Sequence, residues 1–328
     1  MSVSSNRQNV IQEVSELLTD DLARVDEYIR SIIDSDTALV REVGEYVRST
    51  RGKRLRPMLA MLTAHAFRYT GEDHIKVAAA LELVHSATLL HDDVIDKAQL
   101  RRGKPTVNAQ WGDDVAILIA DYLFSHAFNL ALSTSMGPQV LNLVCQVTAR
   151  MCEGEMFQIE KRNALLTRED YLRIVRGKTA YLFSACTALG SMLARAPEQE
   201  TMLLAAYGLN FGIAFQITDD LLDLVAPDEQ TGKPRWADIR NGKQTLPLIY
   251  TFEKASDEDK QLLVKLWNNG RDPGQIMPLI EKYGGVDYAL DEARKYAVAA
   301  QEQIADLPRT RPVELLHQIA EYVVNRSA

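Results

Sequence analysis

The sequence is short of cysteine: 328 residues hold three, Cys145, Cys152 and Cys186, with no C-x-x-C pair among them. An odd count without that spacing reads as buried thiols in a reducing compartment rather than as functional groups. Positive charge is not in excess either. With 37 Lys and Arg against 45 Asp and Glu the net charge is -8, so the broad basic surface that nucleic-acid binding needs is missing. The N-terminal MSVSSNRQNVIQEVSELL lacks the apolar core of a secretory signal. The most apolar stretch, VAILIADYLFSHAFNLALS from Val115, is broken by Asp121, His126 and Asn129 and is too polar to read as a membrane span. A cytoplasmic protein without a transmembrane segment is expected.

Alternating β-branched runs bounded by hairpin signals are also scarce, whereas helical periodicity runs through almost the whole chain. An all-α fold follows. The spacing predicts helices over about Asn9–Ile33, Asp36–Ser49, Pro57–Phe67, Ile75–Ala98, Asp113–Ser133, Gln139–Lys161, Arg168–Leu193 and Glu198–Val225, and several more from Thr245 onward. The connectors YTGED, STSMGP and NNGRDPG are short, and none resembles a flexible interdomain linker. One domain over residues 1–328 is expected, with about the first eight frayed. The longest irregular stretch, Ala226 to Gln244, carries Gly, Pro and charge, and long ordered loops in compact domains are usually functional.

Two stretches stand out against this apolar background. LLHDDVIDKAQLRRGK sets Asp92, Asp93 and Asp96 in a helical run, and FQITDDLLDL repeats the D-D-x-x-D spacing at Asp219, Asp220 and Asp223. On a helix, residues i and i+4 share a face about 6 Å apart along the axis, so each motif turns at least two carboxylates the same way. Burying such a triplet uncompensated is costly, and something cationic must face it. A solvated acidic face accounts for one triplet; two on separate apolar helices favour a metal site. Oxygen-only donors suit a hard cation, and Mg²⁺ takes one or two carboxylates plus substrate phosphate oxygens. Six carboxylates suit a cluster that clamps a polyphosphate from two sides.

Cations gather beside both motifs. RGKRLRPMLAML puts Gly52, Lys53, Arg54 and Arg56 around the first turn of a helix, with Pro57 expected at its first position. Charges of that sign oppose the helix dipole, whereas an anion docked on the free N–H groups would explain them. Arg101 and Arg102 lie in the turn RRGKP, where an arginine can take a phosphate bidentately. Lys178 interrupts a helix at RGKTAYLF, with Gly177 beside it as a kink and Thr179 as a hydroxyl donor. Lys233 and Lys243 sit in the long loop after the second motif. Any one of these reads as a surface charge; together, flanking both acidic motifs, they read as diphosphate recognition.

In this order, from about Gly52 to Pro247, the motifs G-K-x-x-R-P, two D-D-x-x-D, R-R-G, G-K-T and F-Q-x-x-D-D-x-x-D resemble the trans-type, head-to-tail polyprenyl diphosphate synthases. HSATLLHDDVIDKAQLRRGKPT, and LPL after Lys243, are most similar to the long-chain, octaprenyl-type enzymes that make quinone side chains. The resemblance implies an isoprenoid synthase-type bundle of ten or more mostly antiparallel helices around a deep central cavity, assembled as a homodimer. It implies that Asp92, Asp93, Asp96, Asp219, Asp220 and Asp223 hold Mg²⁺, three per active site, on the diphosphate of an allylic substrate. Arg101, Lys178, Lys233 and Lys243 would contact that diphosphate, and Lys53, Arg56, His85 and Arg102 that of isopentenyl diphosphate. Thr179 and Gln216 would lie near the reacting carbons, where oxygen dipoles stabilise an allylic cation.

The same resemblance bears on product length. In this family an aromatic residue four or five positions before the first aspartate closes the cavity early. Here Thr88 and Ala87 stand there, with Val84 and Leu83 a turn below, and all are small or aliphatic. The expected product is longer than C20 and about C40, grown from farnesyl or geranylgeranyl diphosphate, with peripheral membrane contact for its release. Phe128, Leu130 and Leu132 are candidates for the cavity floor. The chain departs from the family in having only Asp238 where paired aspartates often stand, and in ending YVVNRSA without a basic tail, Arg326 being a weak substitute. A shorter-chain geranylgeranyl or farnesyl synthase is the nearest alternative. The E-x-x-H pairs Glu82/His85 and Glu314/His317 allow a di-iron carboxylate bundle, which leaves both aspartate motifs unexplained.

Overall fold

A helix that is apolar on every side belongs in the middle of a bundle, and one with a single apolar stripe belongs at its edge. Both kinds are present. The computed structural model describes residues 9–50, 52–162, 164–225 and 235–325, and among these residues it contains helices and one two-stranded hairpin. Leu55–Ala66 is buried at every position from 57 to 64, and Asp73–Ile95 buries residues all around its axis. These two pack together, with Tyr181–Leu193 against the former and Asp113–Leu132 against the latter. Glu198–Val225 lies between Tyr181–Leu193 and Gly285–Gln303. At the edge, Arg311–Asn325 buries Val313, Leu316, Ala320 and Val323 on one stripe and leans on Leu55–Ala66.

Most elements fall where periodicity puts them, Glu198–Val225 to the residue. The differences have local causes. The expected helix Asn9–Ile33 is two, Asn9–Leu17 and Thr19–Ile33. At the junction the Thr19 hydroxyl donates back to the carbonyls of Ser15 and Glu16, both at 2.9 Å, competing with the helical ladder. The helix expected to begin at Pro57 begins at Leu55, so the proline occupies the third position, still within the first turn, where its missing N–H costs nothing. Arg168–Leu193 is divided by a π turn, Arg176–Ala180, into Arg168–Val175 and Tyr181–Leu193.

That π turn is imposed by a close crossing. A Cβ on Gly177 would stand 2.7 Å from the Gly154 Cα, and one on Gly154 2.8 Å from the Gly177 Cα. The two backbones touch with no side chain between them, and the extra residue in the turn carries Lys178 and Thr179 inward; π bulges are frequent at functional sites. Of the three cysteines only Cys186 is buried, and burial pushes its thiol up to about 12. Cys145 and Cys152 are exposed, correcting the expectation of three buried thiols.

Candidate active site

The first aspartate helix ends on its own motif. Asp96 is the C-cap rather than an interior residue, and Lys97 follows in the left-handed region at φ 51°. Bonds from Ala98 N–H to the Asp93 carbonyl and from Lys97 N–H to the Val94 carbonyl, at 2.9 and 3.2 Å, make a Schellman stop. The chain then reverses through a hairpin, Leu100–Arg101 paired with Lys104–Pro105. Its two central residues, Arg102 and Gly103, have φ of 53° and 74°, the requirement of a tight two-residue turn. This reversal returns Arg101 to Asp93. The guanidinium donates to both carboxylate oxygens at 2.7–3.0 Å, and Asp93 is only 4% exposed.

Asp92 and Asp96 point elsewhere. Burial first, and then the charges of Glu155 and Asp96 against the opposing pull of Lys178 and Arg101, raise the Asp92 carboxyl to about 6. Half-buried Asp92 beside exposed Asp96, an oxygen-only donor set at the mouth of the site, fits a hard cation such as Mg²⁺.

On the Arg101 side lies a cleft of about 270 Å³ rich in cations. Lys53, Arg56, His85, Arg101 and Arg102 line it, with Asp93 and Asp219 at its acidic wall. Arg56 donates to His85 Nε2 at 3.1 Å. Burial, then the charges of Arg56, Arg102 and Arg101, hold the His85 pKa well below its ordinary value, so the ring is a neutral acceptor. Arg102 donates to the Thr50 carbonyl at 2.8 Å. A Cβ on Gly52 would stand 2.5 Å from its Nη2, so a side chain there would displace that guanidinium. Lys53 reaches Tyr322 Oη at 3.1 Å. Such a concentration of guanidinium groups around Glu82 and His85 repels a metal ion, which removes one half of the di-iron reading.

A second cleft, of about 470 Å³, opens on the other side of the motifs. Asp96, Lys178, Thr179, Gln216, Asp220, Asp238 and Lys243 line it. Lys178 pairs with Glu155 and donates to Gln158 Oε1 at 3.2 Å. Thr179 donates to Gln216 Oε1 at 2.7 Å, and Gln216 in turn donates to Asp220 Oδ1 at 2.9 Å. Lys243 bridges Asp220 Oδ1 and Asp238 Oδ2 at 2.9 and 3.2 Å. Burial disfavours the Lys243 ammonium, but those two carboxylates hold its pKa well above the usual value. Asp219 is exposed, Asp220 is 2% exposed, and Asp223 accepts from the Asp238 N–H at 3.1 Å. Each aspartate motif thus serves both clefts: Asp93 and Asp219 face the first, Asp96 and Asp220 the second.

The profile of the polyprenyl synthetase family matches residues 37–283. The chain belongs to the polyprenyl synthetase family. The octaprenyl diphosphate synthase of Escherichia coli is 36% identical over 321 residues, which cover 96% of this chain and 99% of that one. The geranylgeranyl diphosphate synthase of Saccharolobus solfataricus is 34% identical over 311 residues, 91% of this chain and 93% of its own. Among solved structures, a polyprenyl synthase from Caulobacter crescentus complexed with calcium and isoprenyl diphosphate superposes with a TM-score of 0.91 at 34% identity, covering 97% of this chain and 98% of the other. This polyprenyl synthetase is therefore a prenyltransferase with the all-α isoprenoid synthase fold, acting as a trans-prenyl diphosphate synthase on isopentenyl and allylic diphosphates.

Within this family member the residues picked from sequence gather as two cation sets around two aspartate motifs. Lys233 and Arg326 lie outside the described residues. Ala87 and Val84 are fully buried, Leu83 is 2% exposed, and half-buried Thr88 bonds its hydroxyl to the His85 carbonyl at 2.9 Å. None of the four lines either cleft. Of the floor candidates, Phe128 and Leu130 pack on the core, whereas Leu132 is 52% exposed at the helix end and faces outward. Glu155 and Tyr171 were not singled out from sequence. Glu155, in CEGEMFQ, is a lone acid on an apolar stripe. Tyr171, in EDYLRIV, has the pattern of any core aromatic.

Proposed function

We propose that this synthase is a long-chain enzyme, adding isopentenyl diphosphate successively to farnesyl or geranylgeranyl diphosphate to give a product longer than C20 and about C40, suited to a quinone side chain. The observation that carries a two-substrate condensation is the pair of cationic clefts on opposite sides of the aspartate motifs. Lys53, Arg56, His85 and Arg102 hold the diphosphate of isopentenyl diphosphate in the smaller cleft. Lys178, Lys243 and Lys233 hold the allylic diphosphate in the larger one, and Arg101, which lines the smaller cleft, acts on it from across Asp93.

Mg²⁺, three ions per active site, neutralises the departing pyrophosphate when bound. Asp92, Asp96 and Asp219 would hold the metal, with Asp93, Asp220 and Asp223 beside them. Thr179 and Gln216 turn oxygen dipoles toward the allylic carbon, where positive charge develops. The double bond of isopentenyl diphosphate attacks that carbon, and the released pyrophosphate takes the proton that leaves. Both fixed cation sets stay in place for the next cycle.

Chain length rests on the turn below Asp92. Ala87 and Val84 add no aromatic bulk there, and the Thr88 hydroxyl is bonded to its own helix. The geranylgeranyl relatives at 34% identity favour a shorter product as the second reading. A homodimer is supported by an apolar stripe at heptad spacing on Gly137–Glu160, where Pro138, Cys145, Ala149, Cys152, Met156 and Ile159 are exposed. Leu118, 68% exposed on the neighbouring helix, extends it. The enzyme works in the cytoplasm and meets a membrane surface only to release its product.

Purified protein incubated with Mg²⁺, farnesyl diphosphate and radiolabelled isopentenyl diphosphate is expected to yield products beyond C20, and Ala87→Phe to shorten them. A dominant C15 or C20 product from the wild type would overturn the long-chain reading. No incorporation of label would overturn the condensation itself.

A further inference from the structure

Asp220 is the most enclosed acid of the second motif. Its Oδ1 accepts from Gln216 and Lys243, and its Oδ2 accepts from the phenol of Tyr171 at 2.7 Å. Tyr171 is 3% exposed and sits on Arg168–Val175, the short helix that leads into the π turn bearing Lys178 and Thr179. A capping box of Thr167 and Asp170 fixes the start of that helix. The short phenol–carboxylate distance makes the hydroxyl the donor and Asp220 the acceptor.

A carboxylate with two donors on one oxygen can still rotate about its Cβ–Cγ bond. A third donor on the other oxygen fixes its plane. We propose that Tyr171 is a positioning residue for the larger cleft: by holding Oδ2 it sets the direction in which Oδ1 presents to Lys243 and Gln216. Through them it sets the ammonium that faces the departing diphosphate and the amide–hydroxyl pair beside the allylic carbon. The same bond ties the second aspartate helix to the helix before the π turn, so Lys243 and Lys178 keep a fixed separation from opposite walls. Tyr171 does not line the smaller cleft, and its influence is confined to one of the two diphosphates. The inference rests on the condensation reading above.

The test is Tyr171→Phe, which removes one oxygen and keeps the ring. Titration of the full-length protein with inorganic pyrophosphate in Mg²⁺, followed by calorimetry, is expected to show about tenfold weaker binding, the loss expected of one hydrogen bond to a charged group. In turnover the KM for isopentenyl diphosphate stays at its wild-type value while kcat falls. Combining the change with Asp220→Asn is expected to weaken pyrophosphate no further than Asp220→Asn alone, because the phenol acts only through that carboxylate. Wild-type pyrophosphate affinity in Tyr171→Phe would overturn the proposal, as would equal losses at both diphosphates with a lowered Tm, the signature of a purely structural phenol. A wild-type protein inert toward both substrates would instead overturn the condensation reading, so the two failures are told apart.

Discussion

Asp92→Asn is expected to make the protein more stable and inactive at once. The Asp92 carboxyl titrates at about 6 in the folded chain, against 3.8 for an ordinary aspartate, first through burial and then through Glu155 and Asp96. A group whose folded pKa lies above its unfolded one binds protons more readily when folded, so stability falls as pH rises between the two values. The window here is roughly pH 4 to 6. A gap of about two pH units is worth about 3 kcal/mol at 1.36 kcal/mol per unit, lost by the time pH 7 is reached. Removing the charge restores it. With about 2.1 cal/mol/K of unfolding entropy per residue over 328 residues, that is a rise of about 4 °C in Tm. The assay is thermal unfolding in EDTA from pH 4 to 8. The variant and wild type should coincide near pH 4 and separate above pH 6, and Mg²⁺ should stabilise the wild type more than the variant. If Asp92→Asn is unchanged or less stable at pH 8 without metal, the first motif is not a site held under charge strain for a cation, and the reasoning fails.

Arg101→Lys keeps the charge but loses the two-pronged contact with Asp93, which is 4% exposed. A loss of about 1–3 kcal/mol in urea unfolding is expected, below the 3–5 kcal/mol of breaking a buried pair outright, together with weaker diphosphate binding by calorimetry. Gly177→Ala puts a methyl 2.7 Å from the Gly154 Cα. Separating those backbones should cost about 1–3 kcal/mol of stability and, by moving Lys178 and Thr179, lower kcat more than it raises the KM for isopentenyl diphosphate.

The helices were legible because burial on all sides, or on one stripe, is written in composition at intervals of three and four residues, as Leu55–Ala66 and Arg311–Asn325 show. The boundaries that moved did so for reasons periodicity does not carry. The π turn at Arg176–Ala180 follows from a glycine on another helix, Gly154, and only the pairing of Gly154 with Gly177 in space reveals it. Site residues that announce themselves are those whose charge is out of place on an apolar helix, and all six motif aspartates qualify.

What sequence could not assign is which partner each charge meets. The two D-D-x-x-D motifs look equivalent as strings, yet the structure treats them differently. In the first, the middle aspartate, Asp93, is neutralised by Arg101, and the outer pair, Asp92 and Asp96, is left for a cation. In the second, the middle one, Asp220, is also enclosed, but by a tyrosine, a glutamine and a lysine, with Asp219 left exposed. The common rule is that the second aspartate of each motif turns inward to meet a neighbouring cation, and the first is the more accessible of the two. Helix geometry permits that division, since consecutive residues sit 100° apart and send their side chains in different directions. The doubled aspartate is therefore one ligand and one anchor, and an arginine or a lysine on the inward side is what each anchor requires.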